Sequence, residues 1–593
     1  MQLNLSSLFC SKTLPTISAT EYESVCTNRK SIVIHGDALR TRSMDNITLF
    51  DLLFTKEYNR TPSDQIVFAE ASDPNNHITY GQLQDQVLRC AFGLKRMFNI
   101  QHGDVVVICS PNSLEYPVLF YGIIAAGISH KHTIVNTVLI AQLGGVAAPI
   151  RHSTYSSFEE TVNVINIIQP KAIIVHESEI QTVFPAAEKA KIPMSNILVI
   201  TSCIDYIKDT YAGAQVVDSN LFSNGEAAEP YPYTKDDLMN SPCCLYLTSA
   251  STGDCKVVMI QQSSLVCLLL NGPYITPPLR CLALSLFSFV SGLRCHLLVG
   301  LFCGSTTYIT KDKERTLEDI CKAVQRLKIN FMIGVPCLAS GLVKQLSIAK
   351  RYDLSSMTRA FTCGTFMDKS IIRLARKHLN ITFINVYGMT EALEIFANDE
   401  EHSLAGSVGR LVYGALARIV DEDGNDLPIG EEGELRIKSP MVTLGYQRNP
   451  EATAELFDNQ GYLKTGDIFR VDKDGYFYFI TRKKDLIKAF VVNIFPIEIE
   501  QILINHPQVT DCAVIGIHSK EEGLEVPRAY VSLLDDSKDK HSLLEEIRVY
   551  ADSQLPDPKR LRGGVFEIPV FPRTASGKIQ RFKLRQMVEK GCI

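Results

Sequence analysis

The sequence predicts a multidomain α/β protein, with a large N-terminal domain of α/β subdomains, a β-rich part and a small C-terminal α/β domain. Three observations carry this reading. The chain has 593 residues, more than one hydrophobic core serves well. From residue 78 to 388, apolar strand candidates alternate with amphipathic helical stretches, the pattern of a largely parallel sheet. From about residue 405 the style changes to short strands and turns, and after Arg482 a last βαβ-like portion follows.

Taken in order, Ile78-Thr79-Tyr80 opens a helix over LQDQVLRCAFGLKRMF, whose apolar residues recur at helical spacing. A strand from Asp104 through VVVICS follows, and then the helical LEYPVLFYGIIAAG. Further strands are expected at 145–150, 171–177, 330–336 and 381–388. The most apolar stretch, residues 281–304, is interrupted by Arg294 and His296 and reads as a buried helix–strand segment, not a membrane span. The turn-rich 417–440 belongs to the β-rich part, about 405–480. The last portion has a helix at 495–507 and a strand at 511–518. The domain expectation is therefore 1–480, a connector at 481–485, and 486–593.

Composition excludes several classes. With 46% hydrophobic residues, wholesale disorder is out. Sixty basic against 65 acidic residues argues against a nucleic-acid partner, which calls for a concentrated basic excess. The 17 cysteines form no Cys-x-x-Cys pair, and many sit among apolar neighbours, so a reducing compartment is expected. The N-terminus lacks the charged start and apolar run of a signal peptide, although its shortage of acid before Glu21 leaves organellar import open. The C-terminus does not match the peroxisomal Ser-Lys-Leu pattern. A cytoplasmic location is the expectation, with a peroxisomal one as the alternative.

Four stretches carry chemistry. In the run Thr248-Ser249-Ala250-Ser251-Thr252-Gly253-Asp254-Cys255-Lys256, an apolar strand leads into hydroxyls, a glycine and a lysine. Hydroxyls, loop N–H groups and an ammonium suit phosphate oxygens, although a Walker loop is absent and a surface turn is the plain alternative. Tyr387-Gly388-Met389-Thr390-Glu391 ends a strand with a hydroxyl and a carboxylate, which suit phosphate and Mg²⁺. The plain alternative there is a helix start capped by Thr390. Asp467 stands in Thr465-Gly466-Asp467, ahead of the hairpin signal Asp474-Gly475 and the basic run Arg482-Lys483-Lys484. Near the end, Ser576-Gly577-Lys578 offers a lysine behind a tight turn.

In this order and spacing the set resembles the adenylate-forming (AMP-binding) superfamily, and within it the 4-coumarate–CoA ligase and luciferase-like acyl-CoA synthetases. The resemblance runs from about Thr79 to Arg585 and includes GSVGRL at 406–411, GEEGELRIKSP at 430–440 and LGYQRNPEAT at 444–453. It implies an ATP- and Mg²⁺-dependent ligase that joins a carboxylic acid to AMP and then passes the acyl group to coenzyme A. It also implies a mobile C-terminal domain. By the resemblance Thr248, Ser249, Ser251, Thr252, Gly253 and Lys256 hold phosphates. Gly364, Thr365, Tyr387, Gly388 and Met389 lie at the nucleotide, Thr390 at the α-phosphate and Glu391 at Mg²⁺. Asp467 takes the ribose hydroxyls with Arg482 beside it, Lys484 is the hinge, and Lys578 is the catalytic lysine. Lys488 and Val491 belong to the thiol step, and Phe287, Ser288 and Phe289 to the acyl pocket.

The sequence also departs from that pattern. Ala250, Cys255 and Val257 replace residues usually Gly, Pro and Gly, so weakened ATP affinity is expected. Ser288 stands where many relatives carry His, and Val491 where they carry Gly near the thiol path. Residues 128–144 are an insertion of about 17 residues at a helix–strand connection, read either as a surface loop or as mistranslated non-coding sequence. Two alternatives accompany the ligase reading: an enzyme that loads an acyl carrier protein or stops at acyl-AMP, and a weakly active nucleotide-binding paralogue.

Overall fold

The computed structural model describes residues 33–35, 47–101, 103–126, 146–149, 158–201, 213–217, 226–230, 232–248, 255–271, 279–311, 315–334, 336–364, 366–489, 492–519, 524–534, 539–573, 578–591 and 593. Ser249, Ala250, Ser251, Thr252, Gly253, Thr365, Val491 and the insertion 128–144 lie outside them.

Two extended sheets form the α/β part. One runs, in spatial order, Val257–Gln261, Pro242–Leu247, Val146–Pro149, Val105–Cys109, Ala172–His176, Ile197–Ile200 and Gln215–Val217. All its pairings are parallel except that of the first two strands, which are antiparallel. Val105–Cys109 is buried at every position, as a strand covered on both faces must be. The second sheet runs Thr382–Asn385, Arg359–Thr362, Phe331–Gly334, Arg280–Ala283, Thr306–Ile309, Ile66–Glu70 and His77–Thr79. Its pairings are parallel apart from the last two strands. Parallel strands carry functional groups beyond their C-terminal ends, which is where Gly364 and Tyr387 lie.

The helices follow local rules. Thr79 caps Tyr80–Phe98 through a reciprocal box with Gln82, and Leu83, Val87, Ala91 and Leu94 form its buried stripe. Residues 281–304 are buried as expected, but the helix there is a π-helix over Leu293–Gly300, wider than the regular helix the pattern predicts. Around it His296 is fully buried, and Arg294 forms a buried ion pair with Glu394.

The β-rich part is an antiparallel sheet in the order Ile34–His35, Leu416–Val420, Glu432–Lys438, Leu463–Val471 and Phe477–Arg482. Asp474-Gly475 makes the expected hairpin, with Gly475 at φ 78°. The chain then makes one 3₁₀ turn, Lys483–Asp485, before the hairpin Ile487–Ala489 and Val492–Ile494. In the C-terminal portion, helix Pro496–Ile504 and strand Val509–Ser519 match their predicted positions. The βαβ unit, however, is formed by the next elements. Val509–Ser519 pairs antiparallel with Leu524–Leu533, which pairs parallel with Val565–Glu567 across helix Lys540–Asp552. Among the described residues, no helix is long and apolar enough to cross a membrane.

Candidate active site

A cavity of about 230 Å³ lies between the second sheet, the β-rich sheet and the C-terminal portion. Gly364, Tyr387, Gly388, Asp467, Arg482 and Lys578 line it together. Three of the four stretches that carry chemistry therefore meet at one place, together with Gly364.

Asp467 is one of its walls. It is buried on strand Leu463–Val471, directly across the hairpin from Arg482. The Tyr387 hydroxyl donates to Asp467 Oδ2 at 2.7 Å, and Arg482 Nε approaches Asp467 Oδ1 at 3.3 Å. Burial, then the Asp467 charge and the bond to it, push the Tyr387 phenol well up, so it stays a donor. Its ring packs at 5.6 Å from Phe396, 4.9 Å from Phe469 and 6.4 Å from Phe479, an apolar cluster that fixes the hydroxyl's aim.

Two glycines here answer different needs. A Cβ on Gly388 would stand 2.0 Å from the Leu393 carbonyl oxygen, so close backbone approach requires glycine. Gly364 needs its freedom for φ +82°; a Cβ added there would meet nothing within 4 Å, and the cavity wall stays open beside it. Next to it Cys363 is half-buried, and desolvation pushes its thiol up to about 12.

Lys578 enters from the C-terminal portion. Desolvation holds its ammonium well below the ordinary lysine range. Arg482 lowers it further, while Asp467 and Asp485 pull the other way. Arg581, three residues on, grips Glu500 at 2.6 and 2.7 Å and approaches Asp485 at 3.4 Å. Asp485, the end of the expected connector, lines the cavity, as do Glu500 and Arg581, which were not singled out from the sequence and read there as ordinary surface charges. Desolvation, then Arg482, also lowers Lys484, with Asp485, Asp467 and Glu391 opposing.

A second cluster adjoins the first through residues 387–391. Tyr446 donates its hydroxyl to Glu391 Oε1 at 2.7 Å, and the Lys256 ammonium lies 4.7 Å over the Tyr446 ring. The Thr248–Lys256 loop is closed at its described ends. Thr248 N–H donates to Lys256 O at 2.9 Å, and Lys256 N–H donates to Thr248 Oγ1 at 3.1 Å. Gly445 and Gln447 bond across strand Val257–Gln261, bringing Tyr446 over Lys256. Tyr446 lies inside the LGYQRNPEAT stretch, but no spacing marks it as a partner of Glu391 or Lys256. Met389 and Thr390 are half-buried, and Thr390–Ala392 is a turn, not a helix start.

The structure does not bring residues 287–289 to the Lys578 cavity. Phe287 is locked in the core between Tyr116 and Phe68, its N–H donating to Asn112 Oδ1 at 2.8 Å. Ser288 is buried and Phe289 half-buried. Lys488 is part of Ile487–Ala489, paired with Asn493.

The model of the AMP-binding enzyme family matches residues 54–447, and that of the AMP-binding enzyme C-terminal domain matches 498–578. The chain belongs to the AMP-binding enzyme family. An acyl-CoA ligase of Aspergillus niger, azaF, is 30% identical over 526 residues, spanning 86% of this chain and 93% of the relative. Luciferin 4-monooxygenase of Photinus pyralis is 29% identical, spanning 90% of this chain and 93% of the relative. Among solved structures, the anthranilate CoA ligase AuaEII in complex with anthranoyl-AMP shares the fold, with a TM-score of 0.76 at 22% identity over 92% of this chain and 98% of that one. This AMP-binding family member thus has its matched N-terminal region and its matched C-terminal region facing one another across the cavity.

Proposed function

We propose that this AMP-binding family member is an ATP-dependent acyl-CoA ligase acting on an aryl or medium-chain carboxylic acid. The acid's carboxylate oxygen bonds to the α-phosphorus of ATP as the bond to the bridging oxygen breaks, and pyrophosphate leaves. The thiol sulfur of coenzyme A then bonds to the acyl carbon, the bond to AMP breaks, and the thiol proton goes to solvent. The observation that carries this reading is Lys578 in one cavity with Tyr387, Asp467 and Arg482.

Each group suits a step. Asp467, fixed by Tyr387 and Arg482, retains lone pairs for ribose hydroxyls. The Tyr387 ring and Gly364 offer a flat, open wall for adenine. Lys256 and Thr248 close the ends of a loop whose Ser249, Ser251, Thr252 and Gly253 would bind the outer phosphates. Thr390 and Lys578 face the α-phosphoryl group, where charge builds during attack. A magnesium ion would neutralise phosphate charge. Glu391 fits as a single hard-oxygen ligand for an ion that arrives on the nucleotide and keeps phosphate and water ligands. Residues 481–485 with Lys484 form the hinge about which residues 486–593 turn. Lys488 and Val491 then serve the thiol step, and Phe287, Ser288 and Phe289 shape the acyl side from within the core.

The test is pyrophosphate release from ATP and Mg²⁺ across a panel of carboxylic acids, with and without coenzyme A. Release with one acid class, with acyl-CoA formed only when the thiol is present, is the expected result. Persistent acyl-AMP at saturating thiol would replace the acceptor with a carrier protein, the reading that Val491 motivates. No release with any acid would overturn the ligase.

A further inference from the structure

Lys344 ends helix Pro336–Lys344, whose Ala339, Leu342 and Val343 are packed in the core of the second sheet. Its ammonium reaches out of that core into the C-terminal portion. It donates to the carbonyl of Ile504 at 2.9 Å and to the carbonyl of Val509. Ile504 is the last residue of helix Pro496–Ile504, so the cation sits at the negative end of a helix. Beside it Ser370 Oγ donates to Asn505 Oδ1 at 2.7 Å.

Both gripped carbonyls lead to the loop that bears Lys578. The helix ending at Ile504 carries Glu500, which holds Arg581, three residues beyond Lys578. Two residues past Val509, Asp511 pairs with Arg573, and Arg573 bridges to Ile579, the neighbour of Lys578. The path from Lys344 to the loop thus runs by two independent charge pairs.

We infer that Lys344 is a positioning residue for adenylation, a latch that holds the C-terminal portion where Lys578 reaches the cavity. Resting on the ligase reading above, it makes a distinction that reading does not: the latch serves the first half-reaction alone. On that reading residues 486–593 turn about the 481–485 hinge before the thiol step, so the same contacts must break before it.

The test compares Lys344→Met, which keeps the stem and removes the donors, with Lys344→Arg, which keeps charge and donors. ATP–pyrophosphate exchange, using the acid selected by the panel, is expected to fall about a hundredfold or more in Lys344→Met, the scale of two lost charge-assisted hydrogen bonds. Lys344→Arg should recover most of the loss. Conversion of supplied acyl-AMP and coenzyme A to acyl-CoA should stay within about twofold or rise, since the latch is open in that step. Equal losses in both half-reactions, or unchanged exchange, would overturn the latch. Should Lys344→Met fold poorly, Ser370→Ala removes the neighbouring contact and should show a smaller loss confined to exchange. A second readout does not need activity. Hydrogen exchange of peptides covering 501–512 should quicken in Lys344→Met and not in Lys344→Arg; identical protection in all three proteins would overturn the latch even if no acid supports exchange. Wild-type inactivity with every acid, together with quickened exchange, would instead remove the ligase reading and leave the contact.

Discussion

Asp467 and Glu391 are both buried carboxylates of one site, yet the protein holds them differently. Asp467 is engaged at each oxygen, by a phenol on one side and a guanidinium on the other, and its charge also favours the Lys578 ammonium. Glu391 has one oxygen on the Tyr446 hydroxyl, and Lys256 rests on that tyrosine's ring face instead of pairing with the carboxylate. A carboxylate fixed at both oxygens presents lone pairs in set directions, which suits hydroxyls on a rigid sugar. One fixed at a single oxygen can complete its surroundings with whatever ion or phosphate arrives. On the proposed reading, the difference teaches that preorganisation is concentrated at the nucleoside end of the site, and that the phosphate end is finished by the ligand.

The strongest test of that contrast is Lys578→Ala. Acyl-AMP formation should fall on the order of 10²–10³, by the scale of losing one positioned charge at a transition state, with melting temperature retained. Unchanged pyrophosphate exchange would remove Lys578 from the chemistry. Next, Asp467→Asn keeps the shape but deprives Arg482 of its anion, and should raise the KM for ATP by about ten- to a hundredfold, the cost of a broken charge-assisted bond. If the KM moves less than in Tyr446→Phe, the nucleoside end is not the preorganised one. Tyr446→Phe keeps the ring over Lys256 and removes the donor to Glu391. The Mg²⁺ concentration for half-maximal rate should shift by about threefold to tenfold, the worth of one hydrogen bond. The smallest effect concerns protons. The Lys578 ammonium is disfavoured in the free protein, and phosphate anions favour it, so nucleotide binding should take up a fraction of a proton at pH values between its lowered range and the ordinary 10.5. Calorimetry in buffers of different ionisation enthalpy measures it, and proton release would contradict the sign.

Where local chemistry decides structure, the sequence was readable. Thr79 and Gln82 announce a helix start by a capping box, and five apolar residues at Val105–Cys109 announce a doubly covered strand. The order of motifs likewise made the family legible, which the family models match over residues 54–447 and 498–578. What could not be read depended on distant partners. A hydroxyl followed by a carboxylate at Thr390-Glu391 fits a helix start as well as a turn, and Tyr446 and Thr443 decide for the turn by engaging Glu391 through side chain and backbone. Hydrophobic periodicity does not distinguish a π-helix from an α-helix, so the buried helix–strand reading of 281–304 leaves the type of helix over Leu293–Gly300 open. The tie of Lys344 to Ile504 spans 160 positions, beyond any local pattern.

Cys363 bears on a hazard peculiar to enzymes that make activated acyl groups. A mixed anhydride formed beside Gly364 would acylate any thiolate within reach, and an enzyme that labelled itself would die after one turnover. Burial pushes its thiol up to about 12, so at pH 7 Cys363 stays in the unreactive thiol form. Burial therefore does for this cysteine what replacing it would do: the thiol beside Gly364 is kept protonated, and the acyl group waits for a thiol brought from outside.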